Sequence, residues 1–158
     1  MIAVDPSTTD AGIATWGSSK HGTVCLESDY HFPARAGEAV LVVVEDQTVR
    51  RGHPNPDSLL RLAQAAGATA ARIVDSLDNC AGLIWVKPEV WKGSAPKPKS
   101  PHTNSPEHYA VHRRILETMP KEFAEIYLTA VDGSAKMRVM ELVDAAGILA
   151  SACKGSRL

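Results

Sequence analysis

The run from Ala39 to Glu45 most constrains what this chain can fold into. Six apolar residues, four of them valine, precede the carboxylate of Glu45. β-Branched residues favour strands, and an uninterrupted apolar run is typical of a strand covered on both faces. We therefore expect a central strand inside a sheet, with its acid, Glu45, at the point where the strand ends.

A second acid ends a strand at the beginning of the chain. Ile2, Ala3 and Val4 are consecutive apolar residues, and Asp5 follows them directly, before a turn rich in Pro, Ser, Thr and Gly. This run predicts a buried strand. A carboxylate at the carboxyl end of such a strand can hold a metal ion or orient a phosphate, so the remaining acids must decide between these two uses.

The other periodic segments complete an α/β pattern. Leu59 to Leu77 has apolar residues at helical spacing, with Asp57 or Ser58 as the helix cap. Because strands come first and then alternate with helices, the sequence predicts one domain over residues 1–158, an α/β fold with a mixed five-stranded sheet and flanking helices. We also predict strands at Gly12–Trp16, Gly22–Glu27 and Gly82–Val86, and helices at Ser105–Thr118, Pro120–Ala130 and Ser134–Ala152.

Charge is segregated along the chain, although the formal net charge is only −1. From Val86 to Arg114 there are six basic side chains and two acidic ones. The loop from Lys87 to Asn104 is either a soluble connector or a segment that orders on DNA. The candidate phosphate contacts are Lys87, Lys92, Lys97 and Lys99, together with Arg50 and Arg51, which come soon after Glu45.

Cysteine usage and hydropathy bear on the compartment. Three widely spaced cysteines form neither a metal motif nor a disulfide framework, which suits a reducing cytoplasm. No apolar run is long enough to cross a membrane, and the chain opens on a strand instead of a signal peptide. We therefore expect a cytoplasmic protein with no membrane partner.

Four acids form the candidate catalytic set: Asp5, Glu45, Glu141 and Asp144. If the first and fourth strands are parallel neighbours, Asp5 and Glu45 lie at one edge of the sheet, where α/β proteins bind ligands. Glu141 and Asp144 are three residues apart and share one helix face. Clustered carboxylates repel unless cations neutralise them, and hard oxygen ligands favour Mg²⁺ or Mn²⁺.

Less specific interpretations of the same residues remain open. Asp5 or Glu45 could be an ordinary acid at a strand end, and Glu141 with Asp144 could form a solvated helix face. His108 and His112 have metal-ligand spacing but no third ligand, so we expect a solvated or DNA-facing pair. We expect Trp85 and Trp91 to pack in the interior.

The ordered motifs resemble a RuvC-type Holliday-junction resolvase of the ribonuclease-H-like superfamily. Ile2–Ser7 resembles the first catalytic strand of that family, and Val42–Glu45 resembles the strand with its second acid. Asn55–Gly67 matches the helix that follows and is the most specific stretch. Val86-Lys87, Gly93 and Lys99 match the DNA-contacting segment, and Val143–Ala150 resembles the last catalytic helix.

This resemblance implies a function and partners. Asp5, Glu45, Glu141 and Asp144 would hold two Mg²⁺ ions, for which Mn²⁺ can substitute. Lys87 and Lys99 would contact phosphates of branched DNA, and a homodimer would form through the helix near 57–77. Each subunit would nick one of two opposed strands of a four-way junction. A compact, diverged member of this kind would suit a bacteriophage genome and the cytoplasm of a bacterial host.

The chain departs from the family pattern, and two rival functions remain. The segment between strands three and four is too short for the helix that the family places there. Gln47, Thr48 and Val49 stand where an aromatic wedge is expected, and Glu141 replaces a more usual aspartate. One rival is a non-catalytic junction-binding module. The other is a fragment of an actin or sugar-kinase-like ATPase, against which the short length counts.

Overall fold

Five strands form one mixed sheet in the order β3-β2-β1-β4-β5. The computed structural model describes residues 1–17, 20–31, 38–47, 55–93, 110–134 and 138–155. β1, β2 and β3 form an antiparallel meander, whereas β4 runs parallel to β1 on one side and to β5 on the other. The strands span β1 Ile2–Asp5, β2 Gly12–Trp16, β3 Gly22–Leu26, β4 Val40–Glu45 and β5 Cys80–Val86.

The prediction of a mixed five-stranded sheet is confirmed. Its first and fourth strands are parallel neighbours, which is the condition on which the shared position of Asp5 and Glu45 depends. Val42, Val43 and Val44 are all buried, as expected for an interior strand covered on both sides. β3 ends at Leu26, and Glu27, which was expected to continue it, begins a short 3₁₀ turn. β5 begins two residues earlier than predicted, at Cys80.

Helices cover both faces of the sheet. Because side chains alternate along a strand, Ala3 and Val43 face one core cluster while Val4, Val42 and Val44 face the other. The described helices are α1 Pro56–Asp75, α2 Pro88–Trp91, α3 Ala110–Thr118, α4 Lys121–Gly133 and α5 Val139–Gly155. α3, α4 and α5 contribute to the first cluster, and α1 covers the second.

Several helix ends differ from the predictions, including the start of α1 and the end of α4. Asn55 caps α1, because its side-chain oxygen accepts from the backbone N–H of Ser58 and Pro56 occupies the first turn; Asp57 and Ser58 lie inside the helix. Ser134 ends α4, with its hydroxyl donating to the Ala130 carbonyl, so it does not start the last helix. Ser105 and Pro106 lie outside the described residues.

α1 is fastened to the end of β3 by a polar contact. Glu27 accepts hydrogen bonds from Thr69 at 3.1 Å and from Arg72 at 2.6 Å. β3 is followed by a 3₁₀ turn, which is part of the described connection from Glu27 to Ala39. This part of the connection borders a pocket of about 390 Å³, which is also lined by Ile2, Tyr30 and Val40. The described helices include none that is long and apolar enough to span a membrane.

Candidate functional site

Two acids lie side by side where parallel strands end. Val4 pairs with Val44, and each strand ends one residue later, at Asp5 and Glu45. Both acids are buried, with exposed fractions of 6% and 9%. Two adjacent buried carboxylates repel each other, so they need donors or a cation nearby. The parallel pairing of β1 and β4 thus brings these two acids to one end of the sheet.

α5 brings the other two acids toward this end. Gly12, which pairs with Asp5, lies directly under the backbone of Glu141. A Cβ added at Gly12 would stand 2.6 Å from the Glu141 carbonyl carbon, so this close approach of helix and strand requires glycine. Asp144 follows one turn later on α5 and is only 1% exposed. The described elements therefore carry the four predicted acids to one end of the sheet.

Glu45 is held by two donors. Gln47 Nε2 donates to Glu45 Oε1 at 2.6 Å, and Trp91 Nε1 donates to Oε2 at 2.9 Å in a buried hydrogen bond. Trp91 is fully buried, so the prediction that it packs is confirmed, and it cannot stack on a base in this position. Trp85, which we also expected to pack, is 45% exposed on the edge strand.

A second buried polar pair lies between the helices. His112 Nδ1 and the Tyr127 hydroxyl are 2.6 Å apart, and both residues are buried. The expectation that His112 faces solvent or DNA is therefore wrong; α3 turns it inward. Burial raises the pKa of Tyr127, and the negative charge of Asp144 raises it further. His108 lies outside the described residues.

Asp10 ties the loop after β1 to the beginning of α5. It accepts from the Ser28 backbone N–H at 2.9 Å and the Ser28 hydroxyl at 2.7 Å, and Arg138 Nη1 lies 2.7 Å from Oδ2. Burial alone raises the pKa of Asp10, but these hydrogen bonds and the Arg138 charge outweigh it and hold the pKa below its ordinary value. This contact fixes the loop that leads out of Asp5.

Some of the predicted DNA contacts lie near the acids. Lys87 follows β5 directly, and the Asp46 N–H donates to the Val86 carbonyl, so Lys87 stands at the sheet edge where β4 ends. Lys87 is exposed, and Lys92 is half-buried with its ammonium 5.8 Å from the Trp91 ring centre. The other four predicted contacts, Arg50, Arg51, Lys97 and Lys99, lie outside the described residues.

The chemistry of the acid set fits a hard divalent cation. All four donors are carboxylates, and the buried Oε2 of Glu141 receives no hydrogen bond from the part of the chain that the structure describes. Burying such charge without compensation is costly, and Mg²⁺ prefers oxygen ligands. Within the same ranges, however, no three His, Cys, Asp or Glu side chains converge in a metal-holding arrangement. The acids share an edge without their oxygens meeting at one point.

Comparison with known proteins adds no assignment. No protein-family model matches the chain, and no curated protein matches it significantly. The site therefore has to be interpreted from its own residues. Gln47, Trp91, Tyr127 and Arg138 were missed as site neighbours at the sequence level. Gln47 lies only two residues after Glu45. The contacts of Trp91, Tyr127 and Arg138 join distant segments, and no local spacing in the sequence indicates them.

Proposed function

We propose that this chain is a ribonuclease-H-like, metal-dependent endodeoxyribonuclease that resolves four-way or other branched DNA junctions by paired nicks. The observation that carries the proposal is the pair of buried acids, Asp5 and Glu45, at the ends of parallel strands beneath the helix that bears Glu141 and Asp144. Buried acids have little structural use in such numbers unless a cation offsets their charge.

The four carboxylates would hold Mg²⁺, with Mn²⁺ as a substitute. The chemistry that two bound ions supply is activation of a water and stabilisation of the leaving 3′ oxygen. The rest is done by the chain itself. Trp91 and Gln47 orient Glu45, and the close approach at Gly12 places the backbone of Glu141 over the start of β2. Burial keeps competing water away from Asp144.

Branched DNA would lie across the same edge. Lys87 and Lys92 flank α2 beside the acids, where their charges can pair with backbone phosphates. Arg50, Arg51, Lys97 and Lys99 are proposed to extend this contact. Phosphate contacts position the DNA without selecting a sequence. Such a surface suits a nuclease that recognises the shape of a branch.

A homodimer through α1 would match the two-fold symmetry of a four-way junction. The sheet side of α1 is buried through Ala66, Thr69, Ala70 and Ile73. On the outward side, Gly67 and Ala68 are exposed, a Cβ added at Gly67 would meet nothing within 4 Å, and Leu60 is 51% exposed. Two copies could bring their α1 backbones close along this small-residue surface.

One observation favours a second candidate, a non-catalytic junction-binding module. Both oxygens of Glu45 already accept hydrogen bonds, and no three described acids converge on one point. A protein that had lost metal binding would keep its DNA-facing lysines while its acids relaxed into such contacts. Binding of junctions without cleavage is the behaviour expected of that module.

A cleavage assay on a labelled four-way junction separates the two candidates. With Mg²⁺ the wild type should introduce symmetric nicks with 5′-phosphate and 3′-hydroxyl ends, and with EDTA it should only bind. Asp5→Asn and Asp144→Asn should each abolish cutting and retain junction binding. Asp132→Asn, at an exposed acid of α4, is the matched control and should cut normally. Full cleavage by either site variant would refute the assignment of the acids.

A further inference from the structure

Trp91 sits where an aromatic side chain is unexpected. It ends a four-residue helix that has Lys87 before it and Lys92 after it, yet its side chain is completely buried. The burial of a tryptophan within a lysine-rich connecting segment indicates a specific interaction in the interior. Its Nε1–H supplies one, because it donates to Glu45 Oε2 at 2.9 Å across 46 residues of sequence.

Two further contacts hold Trp91, one to its ring and one to its backbone. A Cβ at Gly147 would stand 3.0 Å from Trp91 Cζ3, so α5 lies against the indole, and an added methyl group there would require the ring to shift. Arg114 of α3 donates to the Trp91 carbonyl oxygen. α2, α3 and α5 therefore all hold Trp91, and its indole N–H has a defined direction toward Glu45.

The hydrogen bonds from Gln47 and Trp91 orient the carboxylate of Glu45. A carboxylate has about four lone-pair sites, and Gln47 and Trp91 use one on each oxygen. These two hydrogen bonds therefore do not by themselves prevent the carboxylate from binding a cation. Donors that fix the rotation of a ligating carboxylate raise metal affinity, because less rotational freedom is lost on binding.

We infer that Trp91 is a positioning residue that orients the Glu45 carboxylate toward the metal. Through Trp91, the orientation of this carboxylate depends on the lysine-bearing segment around α2. This inference rests on the proposed function, since it requires Glu45 to hold Mg²⁺. Phosphate contacts at Lys87 and Lys92 act on the same short helix as Trp91. DNA bound to this segment therefore also restricts the movement of the Trp91 indole, and through its hydrogen bond that of the Glu45 carboxylate.

The variant Trp91→Phe tests this role because it keeps an aromatic ring and deletes the donor. Mn²⁺ binding, measured by calorimetry without DNA, should weaken about 10- to 100-fold. Nicking of the junction should need correspondingly more Mg²⁺ and recover at high Mg²⁺, while junction binding in EDTA stays unchanged. Trp85→Phe, on the exposed edge strand, is the control and should alter none of these. A purely structural tryptophan would lower the melting temperature without shifting the Mg²⁺ requirement.

A second measurement keeps the inference testable if Trp91→Phe does not fold. The wild type has three tryptophans, so its indole N–H resonances can be assigned with Trp16→Phe and Trp85→Phe. The Trp91 resonance should be protected from exchange and should shift on Mg²⁺ titration, whereas that of Trp85 should not. An unshifted Trp91 resonance in a wild type that binds Mg²⁺ would overturn the inference.

The outcomes distinguish the inference from the proposed function. If the wild type binds Mn²⁺ and nicks junctions while a folded Trp91→Phe has the same Mn²⁺ affinity, only the role of Trp91 is wrong. If the wild type neither binds Mn²⁺ nor nicks, the proposed function fails and takes the inference with it. Weaker Mn²⁺ binding by Trp91→Phe with intact junction binding supports both.

Discussion

At the scale of single residues, the acidic side chains differ in the groups that the fold places beside them to offset their negative charge. Asp10 is paired with Arg138 and Ser28, Glu45 is held by two neutral donors, and Oε2 of Glu141 receives no hydrogen bond from the described residues. A paired acid stabilises the fold by itself. An acid without a donor costs stability until something binds it.

The pairing of Asp10 predicts a pH dependence of stability. Its pKa is held below the ordinary 3.8, so its contribution is complete above that value and is lost as pH falls through the lower, folded-state pKa. The Asp10→Asn variant should therefore unfold at a lower urea concentration than the wild type at pH 7. The difference should shrink below about pH 4, near the unfolded-state pKa. A urea series at pH 7 and pH 3 checks this.

Asp29→Asn is a suitable control for that series, because Asp29 is exposed in the 3₁₀ turn beside Ser28. It should change stability little at either pH. A gap between Asp10→Asn and wild type that stays constant from pH 7 to pH 3 would contradict an ionic role for Asp10.

The role of a residue could be predicted from the sequence only where neighbouring residues determine its position. Asp5 and Glu45 could be predicted because each directly follows a buried apolar run, and that position alone places an acid at a strand end. The contact of Trp91 with Glu45 could not, since it joins residues 46 positions apart through a buried indole. His112 was misjudged for the same reason: its partner, Tyr127, lies on another helix.

At the scale of elements, the contact between α5 and the meander determines the shape of the site. Gly12 lets the helix backbone approach β2 at Glu141, and Gly147 makes room for Trp91 and Val111 further along the same helix. α5 thus lies close to β2 at Gly12, and close to α2 and α3 at Gly147. The sequence pattern predicted α5 itself. It could not predict which glycines allow close contacts with α5, because those contacts depend on how distant elements pack together.

Gly12→Ala should destabilise the protein by about 1–3 kcal/mol or more, because the added methyl group meets backbone that cannot rotate away. Urea unfolding measures this. Gly133→Ala, at the end of α4 where an added Cβ meets nothing within 4 Å, is the control and should cost far less. Equal stability of the two variants would mean that α5 does not press on β2 as described.

At the scale of the whole molecule, the sheet has one heavily covered face and one covered by α1. The alanine-rich middle of α1 was expected to serve either the sheet or a second subunit. The structure assigns Ala66 and Ala70 to the sheet and leaves Gly67 and Ala68 outward. Sequence periodicity could not divide these roles, because alanine suits both surfaces.

The proposed homodimer predicts the effect of a bulky charge on that outward surface. Ala68→Arg should convert a dimer to a monomer without loss of fold, since the residue is exposed and faces away from the sheet. Sedimentation velocity gives the assembly state. Thr129→Arg, on the exposed surface of α4, should remain dimeric. If Ala68→Arg remains as dimeric as the wild type, α1 is not the interface.

The order of the elements along the chain has a consequence for biosynthesis. The β1–β2–β3 meander relies on near neighbours and can form early, whereas the acids at residues 5, 45, 141 and 144 come from opposite parts of the sequence. A nascent chain still lacking α5 has only the two strand acids. If the proposed nuclease activity needs all four acids, the chain stays inert during translation and gains its full set only when α5 docks.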